Sequence, residues 1–451
     1  MASASSPETF RGAARWAIYD VGHTAFSMLV LAVLFPILFN RFWSAPGAEP
    51  SEKTLAYSLT LAAASILVAL LSPLLATVAQ RGGLRMKFFR ALAGTGIVGM
   101  TALAFVGEGF QHTASLIYVV SAVGFFGANL FYDSLLLDVA APEKRHIVSG
   151  VSFSLGYLGG VLLLGAVVLW TQGWDVLGFS ERPPARALFV FGALWWLAFA
   201  LPLLLRKETA PSGTPGSAAA RERGGFLRAA KEEFSALRET FAALLRERRT
   251  RLFLLAYFCY IDGVHTVITS AVRYGSALGF SEGDLFAALF VVQLFGVPCA
   301  AVFGLLGKIF GAKPVLLCAI AVYVGVSFYG AAMPTGTVGL FGFDVSPMFV
   351  LAALIGMVQG GVQALSRSFF ATLVPAGREV SFFGFYSMIG RCSTILGPLL
   401  IAGVAAVFPA GEDGLFSTRA GIASLTLLFL AGMILLTRVK RAPAAKGAAR
   451  P

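Results

Sequence analysis

The sequence YDVGHT at residues 19–24 is repeated as IDGVHT at residues 261–266. Each copy places an Asp three residues before a His-Thr pair, inside an apolar run long enough to cross a membrane. The two copies stand at corresponding points of the first and second halves of the chain. Such a duplication is typical of transporters built from two parallel repeats that hold a binding site between them.

The apolar runs themselves exclude a water-soluble globule. The chain has 451 residues, of which 57% are hydrophobic and 13% are charged, whereas soluble domains are about 45–50% apolar and about 25% charged. Gly, Pro and charged interruptions divide the apolar sequence into twelve candidate spans, numbered 1 to 12 in chain order. They cover residues 12–40, 54–79, 86–107, 112–140, 147–171, 185–206, 251–274, 284–306, 312–332, 346–374, 381–408 and 417–438.

The spans divide six and six around a long hydrophilic stretch. We therefore predict an N-terminal six-helix bundle at 1–206, a linker at 207–250, and a C-terminal six-helix bundle with a basic tail at 251–451. Glycines support the repeat, because Gly150 and Gly156 of span 5 match Gly384 and Gly390 of span 11. The fold class expected is an all-α membrane protein with twelve transmembrane helices in two pseudo-symmetric bundles.

The net charge of +12 follows from membrane topology and not from a nucleic-acid partner. If both termini face the cytoplasm, 27 of the 35 Lys and Arg residues lie on that side and six lie on the other. Orientation follows this positive-inside bias. We therefore expect both termini and the linker to be cytoplasmic.

The linker contains an amphipathic pattern. Apolar residues recur at steps of three or four while Arg, Lys and Glu fill the opposite face. The pattern predicts a helix lying on the anionic cytoplasmic surface of the membrane, with a simply solvated helix as the alternative. Its apolar positions are Phe226, Ala230, Phe234, Leu237, Phe241 and Leu245.

Several short strings resemble a known family. The glycine-rich, basic loop at 79–87 resembles the G-x-x-x-D-R-x-G-R-[KR] signature of the major facilitator superfamily, with Gln80 where Asp is favoured. A closer resemblance is to the autophagy-related vacuolar amino-acid effluxers and their bacterial relatives. It is carried by WAIYD at 16–20, FYD at 131–133, SG at 149–150, LGYLGG at 155–160, YIDG at 260–263, VQGGVQALSRS at 358–368 and FFGFY at 382–386.

The resemblance implies a major facilitator fold, export of small solutes including amino acids, and a multi-pass location in a bacterial inner membrane. The family often has Asn at the positions of His23 and His265, so these two residues are a local departure. The implied partners are a small-molecule solute and the lipid bilayer, and the titratable side chains inside the spans add protons as a candidate partner.

Ionisable residues inside the spans are the first site candidates. An ionised side chain at the bilayer centre costs about 2.5–3.5 kcal/mol on insertion scales, so it must face protein or water. The Asp20–His23 and Asp262–His265 spacings put each pair on one helix face, where the cluster would couple protons to transport. The alternatives are hydrogen bonds that only join helices and, less favoured, a metal site.

A second group of candidates would recognise the solute. Arg391, with Arg367 on the neighbouring span, would hold a carboxylate through its guanidinium fork. The alternative for Arg391 is a salt bridge to Asp133. Gln359 and Gln363 lie one helical turn apart and would supply polar contacts.

These features together favour a secondary transporter that works by alternating access. No GxxxxGK[ST] loop, G-x-S-x-G elbow or HExxH motif is present, and the four cysteines show no metal-binding spacing. We therefore expect no enzyme activity and no cofactor. The alternatives are a non-transporting receptor or scaffold and, less favoured, a membrane-embedded enzyme.

The charge bias gives a direct topology prediction. In a background with Cys259, Cys299, Cys318 and Cys392 replaced by Ser, single cysteines at Ser217 and Ser51 should react with an impermeant maleimide from opposite sides of the membrane. Labelling from inside-out and right-side-out vesicles measures this. Reaction of both positions from the same side would refute the topology.

Overall fold

The computed structural model describes residues 7–172, 184–206, 226–340, 342–408 and 415–440. Span 1 consists of the consecutive segments Pro7–Ala25, Phe26–Val33, Leu34–Leu38 and Phe39–Trp43, of which the second and fourth are π-helical. Spans 2 to 6 are single helices: Pro50–Gly82, Arg85–Leu103, Gln111–Val139, Arg145–Gln172 and Ala187–Leu204.

The second half begins after the linker helix Phe226–Arg246. Spans 7 to 10 are Arg248–Ala277, Glu282–Phe310, Ala312–Ala332 and Pro347–Phe370. Span 11 consists of Glu379–Cys392 and Leu396–Val407, and span 12 of Phe416–Ser424 and Thr426–Thr437. A short antiparallel hairpin, Val338–Leu340 with Phe343–Val345, joins spans 9 and 10.

The twelve predicted spans are confirmed as helices. Within the residues that the structure describes, eleven helical segments are long and apolar enough to cross a membrane, judged by length and composition alone. The remaining span, Arg85–Leu103, has 19 residues and is less apolar because Arg85, Lys87 and Arg90 stand in its first two turns.

Matching contacts in the two halves show that the repeat is structural. Arg90 of span 3 donates to the carbonyls of Leu204 and Arg206, at 2.7 and 2.6 Å, at the end of span 6. Lys313 of span 9 donates to the carbonyls of Thr437 and Val439, both at 2.7 Å, at the end of span 12. In each half, a cation at the start of the third span therefore caps the open carbonyls of the sixth.

The halves contact each other at two of the four glycines that the repeat matched, Gly150 and Gly384. A Cβ at Gly150 would lie 2.7 Å from Gly304 Cα, so the backbones of spans 5 and 8 meet there. A Cβ at Gly384 would lie 2.5 Å from Ala76 Cβ, so spans 11 and 2 meet in the same way. Both contacts lie toward the end of the molecule that carries the linker helix, which we call the linker side.

The linker contains a helix, Phe226–Arg246, and of its predicted apolar positions the side chains of Phe226, Ala230 and Phe234 lie outside the described residues. Ala236, Thr240 and Leu244 are buried, and the Phe241 ring packs against Phe385 of span 11 with ring centroids 5.7 Å apart. Phe241 and Leu245 nevertheless remain 46% and 43% exposed. One face of the helix therefore docks on the protein, while contact of the exposed apolar edge with a membrane surface stays a prediction.

Candidate functional site

Arg367 lies on the linker side of span 10 and is enclosed by the first half of the chain. Its guanidinium donates to Asp133 Oδ1 at 3.0 Å, to the Ser149 hydroxyl at 3.0 Å and to the Ser149 carbonyl at 3.3 Å. Asp133 comes from span 4 and Ser149 from span 5. This one side chain therefore joins the two halves through a charge-assisted pair and two further hydrogen bonds.

Aromatic rings complete the enclosure of Arg367. Its Cζ lies 4.6 Å from the ring centroids of Trp16 and of Phe153, and 5.5 Å from that of Tyr132. The Trp16 indole in turn donates to the Tyr132 carbonyl at 2.8 Å. Only 3% of Arg367 is exposed, so its charge is compensated by Asp133 and by the electron-rich ring faces. We call Arg367 with these partners the Arg367 latch.

Further hydrogen bonds join the two halves beside the Arg367 latch. The Ser149 hydroxyl donates to the Ala364 carbonyl at 2.8 Å, and His146 Nδ1 lies 2.8 Å from Ser368 Oγ. All of these bonds join span 5 to span 10. The linker side is therefore closed in this structure.

The loop at 79–87, which resembles the superfamily signature, contacts the second half at the start of span 11. The Gln80 side-chain oxygen accepts a hydrogen bond of 2.8 Å from the backbone of Val380 at the start of span 11. Arg85 forms an ion pair with Asp138. Gln80 thus binds the N-terminus of span 11 through a neutral amide, where the superfamily signature has a carboxylate.

Asp20 lies deeper, near the middle of span 1. Its Oδ2 accepts a short hydrogen bond from Ser152 of span 5, and the Ser152 hydroxyl lies 2.5 Å from the Tyr132 hydroxyl. His23 Nδ1 is 3.3 Å from Asp20 Oδ1, and its ring stacks on Phe125 with centroids 5.0 Å apart. The predicted approach of His23 to Asp20 is present, although His23 Nδ1 forms no hydrogen bond among the described residues. Hydroxyl groups link Asp20 to spans 4 and 5.

The repeated pair in the second half is arranged differently. Asp262 is fully buried, and its two oxygens accept hydrogen bonds from the backbone N–H groups of Leu396 and Gly397, both at 2.8 Å. His265 Nδ1 is buried and has no hydrogen-bond partner among the described residues. The expected Asp262–His265 contact is therefore wrong, because the carboxylate turns toward the N-terminus of a helix segment of span 11.

A metal site gains no support from this geometry. Within the ranges that the structure describes, no three His, Cys, Asp or Glu side chains are grouped closely enough to hold a metal ion. The two repeated pairs also face different neighbours, so they do not form one four-residue cluster.

Arg391 lies near the middle of span 11 and is half-buried. Its Cζ is 3.9 Å from the ring centroid of Phe126 on span 4. The alternative of a salt bridge from Arg391 to Asp133 is wrong, because Arg367 is the partner of Asp133. No carboxylate of the described residues pairs with Arg391. Its guanidinium N–H groups remain available between the two halves.

The two candidate glutamines of span 10 are both half-buried. Gln359 is half-buried beside Tyr157, and its side-chain oxygen has no hydrogen-bond partner among the described residues. Gln363 is half-buried one turn further along span 10.

Arg367 and Arg391 do not share one site, because Arg367 is fully engaged on the linker side.

Four contact residues escaped the sequence analysis: Ser149, Ser152, Phe126 and Gln293. Gln293 of span 8 donates to the Met28 sulfur of span 1 at 2.9 Å, which brings the halves together at mid-depth. Ser, Phe and Gln are ordinary residues inside apolar spans. The only available signal was Ser149 next to Gly150 in one of the resemblance strings.

Comparison with known proteins agrees with this architecture. A family model described as vacuole effluxer Atg22 like matches residues 137–449. The MFS-type transporter YxiO of Bacillus subtilis (strain 168) is 33% identical over 435 residues, with 94% of each chain covered. The chain belongs to the Atg22-like family of major facilitator transporters.

More distant comparisons extend the likeness. Autophagy-related protein 22 of Coccidioides immitis (strain RS) is 24% identical over 409 residues, which cover 77% of this chain and 66% of the fungal protein. The proton:xylose symporter XylE has a TM-score of 0.69 at 14% identity, with 97% of both chains covered. The human organic anion transporter MFSD10 has a TM-score of 0.68 at 17% identity, with 96% of this chain and 100% of that one covered.

The family and the fold give the broad function. This Atg22-like chain is a multi-span integral membrane protein and a secondary transporter, and the proteins it resembles are transporters and not enzymes. The predicted fold class and family resemblance are confirmed.

The latch predicts which variants should behave alike. Asp133→Asn leaves Arg367 buried without its counter-charge, and breaking a buried pair in this way costs about 3–5 kcal/mol. We expect Asp133→Asn and Arg367→Gln to lower the melting temperature and transport rate by similar amounts. The double variant should be less damaged than the sum of the two single variants.

Thermal unfolding in detergent and flux in proteoliposomes would measure both effects. Ser149→Ala is the matched control, because it removes one hydroxyl and leaves the ion pair intact. If Asp133→Asn behaved like Arg391→Lys and unlike Arg367→Gln, the assigned pairing would be incorrect.

Proposed function

We propose that this transporter exports a small carboxylate-bearing solute, an amino acid among the candidates, from the cytoplasm of a bacterium. The observation that carries the proposal is Arg391, a guanidinium between the halves with no carboxylate partner among the described residues. A planar fork of this kind matches a carboxylate bidentately. The effluxer description of the matching family model supports export, and the Bacillus relative supports a bacterial inner membrane.

The Phe126 ring beside Arg391 orients the guanidinium for binding. The ring covers one face of the guanidinium and keeps it in place without occupying its N–H groups. A solute carboxylate would therefore bind at the edge of the fork. Gln359 has a free side-chain oxygen among the described residues and would accept a hydrogen bond from an ammonium or hydroxyl group of the solute.

Alternating access in this proposal is movement of segment 1–206 against segment 251–451, with 207–250 as the connection. The closed linker side is one end state of that movement. Opening it requires Arg367 to leave Asp133, Ser149 and the surrounding rings. Both charges would then face cytoplasmic water, which compensates for the loss of the pair.

Proton coupling is assigned to the first half. Asp20 and His23 are in contact and reach Ser152, so a change in the charge of either one alters the bonds between spans 1 and 5. Asp262 has no such contact with His265. We therefore narrow the proton-coupling candidates from four residues to Asp20 and His23.

The carboxylate assignment predicts the effect of Arg391→Lys. Lys keeps the charge but lacks the planar fork of Arg. The substitution therefore removes at least one charge-assisted hydrogen bond to the carboxylate, worth about 1.5–3 kcal/mol. We expect KM for the best amino acid in a proteoliposome screen to rise about tenfold or more. Competition by the matching decarboxylated amine should be the same in both proteins. Equal KM values for wild type and Arg391→Lys would remove Arg391 from the site.

Proton coupling predicts a dependence on imposed gradients. A pH gradient should drive accumulation of the solute in proteoliposomes, and collapse by an ionophore should abolish it. For a zwitterion moving with one proton, a membrane potential adds about 2.3 kcal/mol per 100 mV. Asp20→Asn should retain solute exchange and lose gradient-driven accumulation. Accumulation that persists after collapse, with the potential clamped, would exclude proton coupling.

A further inference from the structure

The two repeated aspartates contact different kinds of partner. Asp20 of span 1 accepts from a side chain, Ser152, on the continuous helix of span 5. Asp262 of span 7 accepts from two backbone N–H groups on span 11, where the helix is interrupted between Cys392 and Leu396. Spans 5 and 11 are partners in the repeat. The difference between the halves is therefore the break in span 11 and the carboxylate that caps it.

The cap satisfies the new helix end inside the membrane. The first N–H groups of any helix have no partner within it, and an unsatisfied group in hydrocarbon costs several kcal/mol. Asp262 binds the N–H groups of Leu396 and Gly397 in bidentate fashion, and Thr266 donates to Asp262 Oδ1 at 3.2 Å. A negative charge is also favoured at a helix N-terminus. These contacts engage both oxygens of Asp262 with groups that donate to them.

Gly397 makes this arrangement possible. A Cβ at Gly397 would lie 2.7 Å from Asp262 Oδ1 and would collide with the Thr266 hydroxyl. The carboxylate reaches the helix end because position 397 has no side chain. A Cβ at Gly403, further along the same segment, would meet no heavy atom of the described residues within 4 Å.

The break follows directly after the segment that carries Arg391. Glu379–Cys392 ends one residue beyond Arg391, and the segment capped by Asp262 begins at Leu396. The cap therefore fixes where the second segment starts relative to the first. Arg391 lies in the last turn of Glu379–Cys392, next to that junction, with its guanidinium over the Phe126 ring.

We infer that Asp262 is a positioning residue for Arg391: by capping Leu396–Val407 it holds the break in span 11 that places the guanidinium at the solute site. It does not carry the transported proton. This inference rests on the proposed function, in which Arg391 binds the solute carboxylate. It assigns different roles to the two copies of a repeated motif.

The test uses the full-length protein in proteoliposomes, with the radiolabelled amino acid that gives the largest uptake in a screen as the probe. Asp262→Asn removes the charge, and Gly397→Ala displaces the carboxylate while keeping it. Each variant should raise KM about tenfold and leave the pH dependence of uptake unchanged. In an Arg391→Lys background, neither should raise KM further. Gly403→Ala is the matched control and should behave as wild type.

A second measurement does not depend on transport. Cys392 is a native, half-buried thiol beside Arg391, and it can be labelled with N-ethylmaleimide when the other three cysteines are replaced by Ser. Gly397→Ala should change its labelling rate severalfold, whereas Gly403→Ala should not. Absence of all amino-acid uptake in wild type would contradict the proposed function, while this readout would still test the junction.

Several results would overturn the inference. KM effects that multiply in the Arg391→Lys background would show that Asp262 acts independently of Arg391. A shifted pH profile in Asp262→Asn would show a coupling role. An unchanged Cys392 labelling rate in Gly397→Ala, or failure of both Asp262→Asn and Gly397→Ala to fold while Gly403→Ala folds, would leave only a structural cap.

Discussion

A charge within the apolar depth of a membrane must be compensated by protein, and this constraint determines how the helices of the transporter meet. Arg367 is compensated by Asp133 and by aromatic faces, and Asp262 by two backbone N–H groups and a hydroxyl. Asp20 has a hydroxyl and an imidazole. Each compensation comes largely from a neighbouring span, so each charge fixes a helix contact. Arg391 has an aromatic ring and no carboxylate among the described residues, which makes it the charge best suited to a ligand.

The Arg367 latch links this constraint to movement. Its partners all lie in the first half, whereas Arg367 lies in the second. The charges of Arg367 and Asp133 therefore compensate each other only while the linker side is closed. In the proposed cycle, opening exchanges these contacts for water on both side chains. A solute or proton shifts this balance only by binding one state more tightly than the other. Sites near mid-depth are well placed for this, because spans 4 and 5 contribute to the latch and also contact Asp20 and Arg391.

The fold was largely predictable, whereas the contacts between side chains were predictable only in part. Apolar run length determines where spans begin and end, so all twelve were found, and the matched glycines at 150 and 384 proved to be contact points between halves. Helix periodicity placed Asp20 beside His23 correctly. The same spacing failed for Asp262 and His265, because Asp262 binds backbone N–H groups of another span. The partner of Asp133 depends on how spans 4, 10 and 11 are arranged, and the sequence suggested Arg391 where the structure has Arg367. A proline in span 11, at position 398, is compatible with a bend or with the first turn of a new helix, so the full interruption and its cap by Asp262 required the structure.

Divergence between the halves explains how a duplicated chain can support unequal tasks. The motif at 19–24 and its copy at 261–266 place Asp and His identically on their own helices, and only the helix opposite differs. The continuous span 5 offers Asp20 a hydroxyl, which can donate or accept. The interrupted span 11 offers Asp262 two backbone N–H groups, which can only donate. In the proposed mechanism, proton exchange therefore belongs to the first half and solute recognition to the second, and movement between the halves joins the two.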